Sequence, residues 1–391
     1  MKKIIFLFFL ISFISSQKRE LPFQIKLFSL LNENQNENIC ISPLSLYQIL
    51  SLVSNGAVGK TQEEILNVLV PNNKINKKIQ LSINANNQQI INYYNSKNKK
   101  VVIVNGISTK VSLKKEFEKI CKKFEAGILP LINVEQINNW CSEKTNGKIK
   151  KIIDKISPLT TMILLNAVYF KVNWKYKFDE VKTKKMDFRN SNGIIVKVDT
   201  MYNEFSKIKY FENEKIQMIE LPYEDDNLSM IILLPKLNKF TSSSDYLKKE
   251  KLDFIESINK MTYKKNVKLN LPKFELEYKK QLNEILQKMN MKLAFYNNLA
   301  DFSNLSKTKS YIFQVIHSTY IKVDESGTES AAASLIEMRT NSTVIIKNYI
   351  NMNVDHSFIY MIKDKRIKDT NGNNLLLFIG TVNNLKEENK K

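Results

Sequence analysis

Residues 161–170 read Thr-Met-Ile-Leu-Leu-Asn-Ala-Val-Tyr-Phe, a run without a charge in which only Asn166 is strongly polar. A strand with one wet face alternates apolar and polar side chains, so a run without alternation predicts a strand covered on both faces. Met-Ile-Ile-Leu-Leu at residues 230–234 repeats the signal. The chain must therefore bury sheet between layers.

Helical patterns lie among the strand patterns. Ser42 reads as an N-cap with Pro43 at the first helical position, Leu46, Ile49, Leu50 and Val53 share a face, and Asn55-Gly56 supplies the stop. Thr61-Gln62-Glu63-Glu64 has the form of a capping box and predicts a second helix, with Ile65, Leu66 and Leu69 on its core side. Residues 117–124 and 282–289 carry the helical period. Residues 267–271 and 274–278 alternate in shifted phase, and Pro272-Lys273 between them predicts a bulge or kink. The mixture points to an α+β fold.

The chain has 391 residues, with 9 Gly and 8 Pro scattered and no stretch that reads as a linker, so one large domain is expected. Lys2-Lys3, an apolar run from Ile4, and Ser15-Ser16-Gln17 form a secretory signal pattern that predicts a cut after Ser16. Residues 1–16 are thus read as a signal peptide, residues 17–391 as the domain, and the protein as secreted. The apolar run is shorter than the ~20 residues a membrane span needs. Cys40, Cys121 and Cys141 are far apart and match no metal spacing; they read as small buried thiols. Asn227, Asn304 and Asn341 head glycosylation sequons.

A net charge of +21 raises the question of a polyanionic partner. Nearly all of it is lysine, since arginine stands only at Arg19, Arg189, Arg339 and Arg366. The basic runs at residues 74–78 and 97–100 lack the arginine and stacking aromatics of a specific nucleic-acid reader. A solvated basic surface and a heparin-like polyanion site both remain open. Catalysis finds little support. The two histidines are His317 and His356, there is no Gly-x-Ser-x-Gly or His-Glu-x-x-His, and the glycine-poor Ser54–Thr61 stretch fails as a phosphate loop. No cofactor or metal site is expected.

Several segments resemble the serpins, a family of serine protease inhibitors. ICISPLSLYQILSLVSNGAVGKTQEEIL at residues 39–66 is similar to the family's N-x-x-x-SP-x-S and GA-x-G-x-T segment. TTMILLNAVYFKVNW (160–174), IELPYEDDNLSMIILLP (219–235), LPKFELEY (271–278), ADFSNLS (300–306) and VIHSTYIKVDESGTESAAAS (315–334) follow in serpin order, and residues 355–382 resemble the family's last strands. The resemblance implies three β-sheets, eight or nine helices and an exposed reactive loop at about residues 325–348. It places Ser42, Ser45, Asn166 and His317 on a polar cluster called the shutter, where strands part, and Trp174 on the breach, where the loop begins to insert. His317 then becomes a hydrogen-bonding residue instead of a catalytic one. Val172, Ser357, Leu385 and Thr381 depart from the usual glycine, prolines and arginine.

Some family members are non-inhibitory binding, carrier or chaperone proteins, so the loop must be read on its own chemistry. The hinge comprises Glu325, Gly327, Thr328, Glu329, Ser330, Ala331, Ala332, Ala333 and Ser334. From Thr328 to Thr340 one parity is uncharged, while Glu329, Glu337 and Arg339 all fall on the other. A strand built from it would bury the first face and expose the second. No proline interrupts residues 327–344, so its ladder could be complete. The expected partner is a chymotrypsin-fold serine protease, met by a monomer. The family's spacing implies attack at Asn341-Ser342. Arg339-Thr340, suited to a trypsin-like pocket, and Met338-Arg339, suited to an apolar one, remain alternatives.

Overall fold

A computed structural model describes residues 21–33, 37–96, 101–250, 253–328, 348–368, 372 and 374–387. The proposed signal segment and residues 329–347 lie outside them.

The chain opens on α1 (Phe23–Leu31) and β1 (Ile39–Ile41), then α2 (Pro43–Ser54), α3 (Gly59–Leu69) and α4 (Lys77–Ser96). Strand β2 (Val101–Thr109), α5 (Lys115–Lys123), β3 (Gly127–Pro130) and α6 (Val134–Lys144) precede β4 (Met162–Phe170) and β5 (Val172–Asn173). Next come β6 (Lys184–Arg189), β7 (Ile195–Glu212), β8 (Ile216–Pro222), β9 (Leu228–Pro235), α7 (Ser243–Glu250) and α8 (Asp253–Asn259). The last elements are β10 (Thr262–Pro272), β11 (Phe274–Gln281), α9 (Asn283–Lys288), β12 (Ile312–Asp324), β13 (Gly327–Thr328), β14 (Ile350–Asn353), β15 (Phe358–Lys368) and β16 (Asn374–Val382).

Strand β4 is buried at every position, and so is β9. Each lies between layers, as their unbroken apolar runs require. Hydrogen bonding joins the strands into two networks. One runs β1-β16-β15-β9-β8-β7-β10-β14 with β6 on β7; the other runs β3-β2-β4-β12-β13-β5 with β11 on β12. The buried face changes along the 18-residue β7 of the first network. Phe205 is buried on one face together with its partner Val267, whereas Ile208 and Tyr210 are buried on the opposite face. The change of face lies beside Asn266 of β10, which has a positive φ of 55°, and both sets of side chains join the same core. Pro272-Lys273 is more than a kink: β10 ends there in the first network and β11 begins in the second.

Helix α2 starts as predicted, with Ser42 accepting a hydrogen bond from the Ser45 amide. The capping box does not start α3, which begins at Gly59 with Val58 as an uncapped N-cap. Thr61 and Glu64 cap across the fold instead. Thr61 Oγ1 accepts from the Asp301 amide, and Glu64 Oε2 accepts from the amides of Lys292 and Leu293, opening the 3₁₀ turn Leu293–Phe295. A local pattern cannot say whose orphan amides it will satisfy. All three cysteines are buried and free, and burial pushes the Cys40 thiol up to about 11.

Two apolar cores flank the second network. Met162, Leu164, Val168 and Phe170 of β4 face the main core. Ile163, Leu165, Ala167 and Tyr169 face a smaller one, roofed by Ile137 and Cys141 of α6. Trp140 of α6 lies on Gly106 and Gly127, where an added Cβ would come within 2.7 and 2.4 Å of its ring. Only glycine lets that helix sit so low.

Candidate functional site

Strands β4 and β12 run side by side and parallel from Met162–Ile312 to Tyr169–Tyr320. After Asp324 the chain turns at Glu325-Ser326 and comes back as β13, antiparallel to β12. On its other side β13 pairs with β5, the continuation of β4. The hinge thus already stands between the two strands, above the point where they meet. Thr328 pairs with Val323 and Val172. The offset between those partners is that of every rung from Gln314–Ile163 to Tyr320–Tyr169, so β13 is in register with the closed ladder beneath it.

Four contacts hold the hinge. Thr328 is fully buried and shares a 2.9 Å hydrogen bond with the Tyr223 hydroxyl. The Tyr223 ring stacks on Trp174 at 4.5 Å, and Trp174 Nε1 donates to the Asp324 carbonyl at 2.9 Å. Gly327 has φ 154°, and a Cβ there would come within 2.4 Å of the Val172 carbonyl oxygen, so no side chain fits. Glu325 accepts from Thr183 Oγ1 at 2.7 Å and pairs with Lys273 at 3.1 Å. Burial alone would push its carboxyl up, but Thr183 and Lys273 outweigh that and hold it below the usual range.

Six rungs below Thr328 lies a row of polar side chains that spans three strands. Asn105 of β2 pairs with Asn166 of β4, which pairs with His317 of β12. Asn166 Nδ2 donates to Asn105 Oδ1 at 2.6 Å and to Ser45 Oγ of α2. His317 Nε2 accepts from the Ser42 amide at 3.1 Å, which leaves Nδ1–H to donate to Asn166 Oδ1 at 2.5 Å. Ser42, Ser45, Asn166 and His317 therefore meet. Asn105 completes the group and was missed, because its strand carries no sign of which residue it will face. His356 is elsewhere, held by Asp355 Oδ1 and the Pro235 carbonyl. Ser357 and Thr381 join a buried polar knot on Asn383 with Ser243, so hydroxyls occupy their positions without an orphaned group. Among the sequon asparagines, Asn304 is exposed, Asn227 is partly covered and bonded to Asp225, and Asn341 lies outside the described residues.

Burial lowers the His317 pKa to about 3, so the ring is neutral in the folded protein. In the unfolded chain it binds a proton below about pH 6.5. Its stabilising contribution is complete above that value and falls by ~1.4 kcal/mol per pH unit toward pH 3. The His317→Gln variant is expected to lose this part of the pH dependence. Urea midpoints at pH 7 and pH 5 check it: an equal acid shift in both proteins would show that His317 does not carry it.

The family model described as Serpin (serine protease inhibitor) matches residues 19–385. An uncharacterized serpin-like protein of Thermococcus kodakarensis is 32% identical over 365 residues, covering 90% of this chain and 82% of that one. The native-state structure of the thermophilic serpin Tengpin superposes with a TM-score of 0.80 at 31% identity, covering 93% of this chain and 92% of that one. Human thyroxine-binding globulin, complexed with thyroxine, shares the fold at a TM-score of 0.80 and 23% identity, covering 93% of this chain and 96% of that one. This chain belongs to the serpin family. Its fold is α+β with mixed sheets and, among the described residues, nine α-helices.

Proposed function

We propose that the protein inhibits a chymotrypsin-fold serine protease as a suicide substrate. One observation carries this reading: the hinge stands between β4 and β12 in register with their ladder. Because those strands are parallel, a strand returning from β12 would run antiparallel to both.

Continuing the β13 register supports an assignment for each loop residue. Ala331 would separate Tyr169 and Tyr320, whose rings now touch at 6.2 Å, and its small side chain suits that space. Glu329 would enter between Lys171 and Lys322, and Ser334 between Asn166 and His317, where its hydroxyl could join the polar row. Thr328, Ser330, Ala332, Ser334, Ile336 and Met338 would face the main core. The other parity would not be open to water throughout, as the sequence suggested, because α6 roofs its middle. Ala331, Ala333 and Leu335 fall under that roof and Glu337 would stand beside Ile163 of the smaller core, whereas Glu329 and Arg339 fall beyond it.

The ladder ends at Met162 and Ile312, opposite residues 338 and 339 of an inserted loop. An attacked residue at Asn341 would then sit just past the sheet, with every rung filled. Cutting after Met338 would leave the last position, opposite Ile312, empty. In the reaction the protease serine adds to the Asn341 carbonyl, the Ser342 amine leaves, and an ester joins the two proteins. Insertion then carries the ester to the far end of the sheet.

Incubation with a panel of serine proteases tests the reading. A covalent complex that survives SDS is expected, with the shorter fragment beginning at Ser342. Simple cleavage by every protease, with no complex, would favour a non-inhibitory binding or carrier role.

A further inference from the structure

Strand β15 carries a carboxylate with no solvent exposure, Asp364, which takes no part in the polar row or the hinge contacts. A buried carboxylate is tolerated only where donors and a counter-charge replace its water. Arg366, two residues on, supplies both. Its amide and Nε donate to Asp364 Oδ1 at 2.9 and 2.7 Å, and one terminal nitrogen donates to Oδ2 at 2.6 Å. The Tyr94 hydroxyl of α4 donates to the same Oδ2 at 3.2 Å.

That guanidinium is shared. The same terminal nitrogen donates to Asp225 Oδ2 at 3.0 Å, so two carboxylates draw on one arginine, which lies 4.0 Å from the centroid of the Tyr93 ring. The other neighbours do not restore the balance. Among the described residues α4 offers the two phenols, Tyr93 and Tyr94, and β9 sets the apolar Leu228 opposite Asp364. The exposed Lys365 attracts from outside, but its ammonium donates to the Asp226 carbonyl, and the Asp226 carboxylate is tied to Lys175. Burial, with the Asp225 charge adding to it, pushes the Asp364 carboxyl up to about 6.

Asp225 belongs to the turn between β8 and β9, two residues from Tyr223. The same turn is fixed on the hinge side. The Glu224 amide donates to the Asn173 carbonyl at 2.9 Å, and Tyr223 stacks on Trp174 and bonds Thr328. One short turn thus joins α4 and β15 to the seat of the hinge.

We propose that Asp364 is a proton-operated latch on this turn, and that its protonation in mild acid shifts the Trp174–Tyr223 stack against which Thr328 rests. While ionised, Asp364 holds the guanidinium on β15. Once it takes a proton, Asp225 is the stronger counter-charge, so Arg366 re-pairs toward Asp225 and moves the turn. Tyr94 can still donate to the neutral carboxyl, so α4 keeps its contact. The sign is opposite to that of His317. A carboxyl raised in the folded state contributes stability below about pH 3.9, and that contribution is lost as pH rises through about 6.

The test labels the full-length protein with 5-fluorotryptophan and assigns the resonances of Trp140 and Trp174 through Trp140→Phe. No protease is involved, so the result is independent of the inhibitory reading. The fluorine shift of Trp174 is expected to titrate with a midpoint near pH 6, while that of Trp140 on α6 stays flat. Asp364→Asn should abolish the Trp174 titration by removing the proton site, and Asp225→Asn by removing the group to which Arg366 turns. Tyr94→Phe removes a donor to the ionised carboxylate, so it should keep the titration and raise its midpoint by about 0.5. A Trp174 signal that is flat in the parent, a titration that survives in either asparagine variant, or a midpoint unmoved by Tyr94→Phe would overturn the proposal.

Discussion

Cutting the chain between Asn341 and Ser342 is expected to raise its thermal unfolding midpoint by about 20 °C. The gain comes from exchanging one ladder for two. In the intact protein β4 and β12 bond to each other in parallel. After insertion each would bond to a new strand of about 12 residues, some 40 Å long at ~3.3 Å per residue. Net hydrogen bonds of ~1 kcal/mol each would be partly offset by ordering the loop and by losing the present rungs. Burial of Ile336, Met338 and the alanine methyls against the main core adds to the gain. Calorimetry of the intact and cleaved proteins reads it directly. An unchanged midpoint would mean that the cut loop stays outside the sheet.

If the protein acts as the proposed inhibitor, Thr328→Arg is expected to convert it into a substrate, raising the number of molecules consumed per trapped protease at least about tenfold. Thr328 has no solvent exposure and lies against Tyr223, between Val323 and Val172. An arginine there would bring an unpaired charge into an apolar site at a cost of several kcal/mol. The hinge would be expelled, the first rung would be missing, and ester hydrolysis would overtake insertion. Thr328→Val nearly preserves volume and should remain an inhibitor, although Tyr223 loses a hydrogen-bond partner. The arginine variant trapping protease at the parent stoichiometry would show that Thr328 does not enter the sheet.

The strands buried on both faces were legible because loss of alternation is a local signal. So was the start of α2, where Ser42 caps its own helix. Of the hinge parity the described residues reach only Thr328, which is buried as its place in the uncharged set predicts. What could not be read is who meets whom. Asn105 stands in the row with Asn166 and His317 through strand register, and no pattern around it announces that row. Lys273 and Thr183 reach Glu325 from distant segments. Thr61 and Glu64 show the same limit from the other side, with the right residues satisfying amides of another element. The covering of β4 and β12 by α6 rests on two glycines beneath Trp140, which in sequence look like ordinary strand irregularities.

The aligned hinge has a kinetic consequence. A free loop entering a sheet must first find its frame, and the entropy of closing that first contact usually sets a barrier. Here Gly327 and Thr328 already occupy the starting rungs, so under the proposed inhibitory function nucleation would be complete before a protease arrives. What remains is propagation, each pair forming next to one already made, with β4 and β12 opening one rung at a time. The outcome of the proposed encounter would then be a race between zippering and ester hydrolysis. Substitutions near the entrance would act on its start, and those at the Asn166–His317 rung on its midpoint.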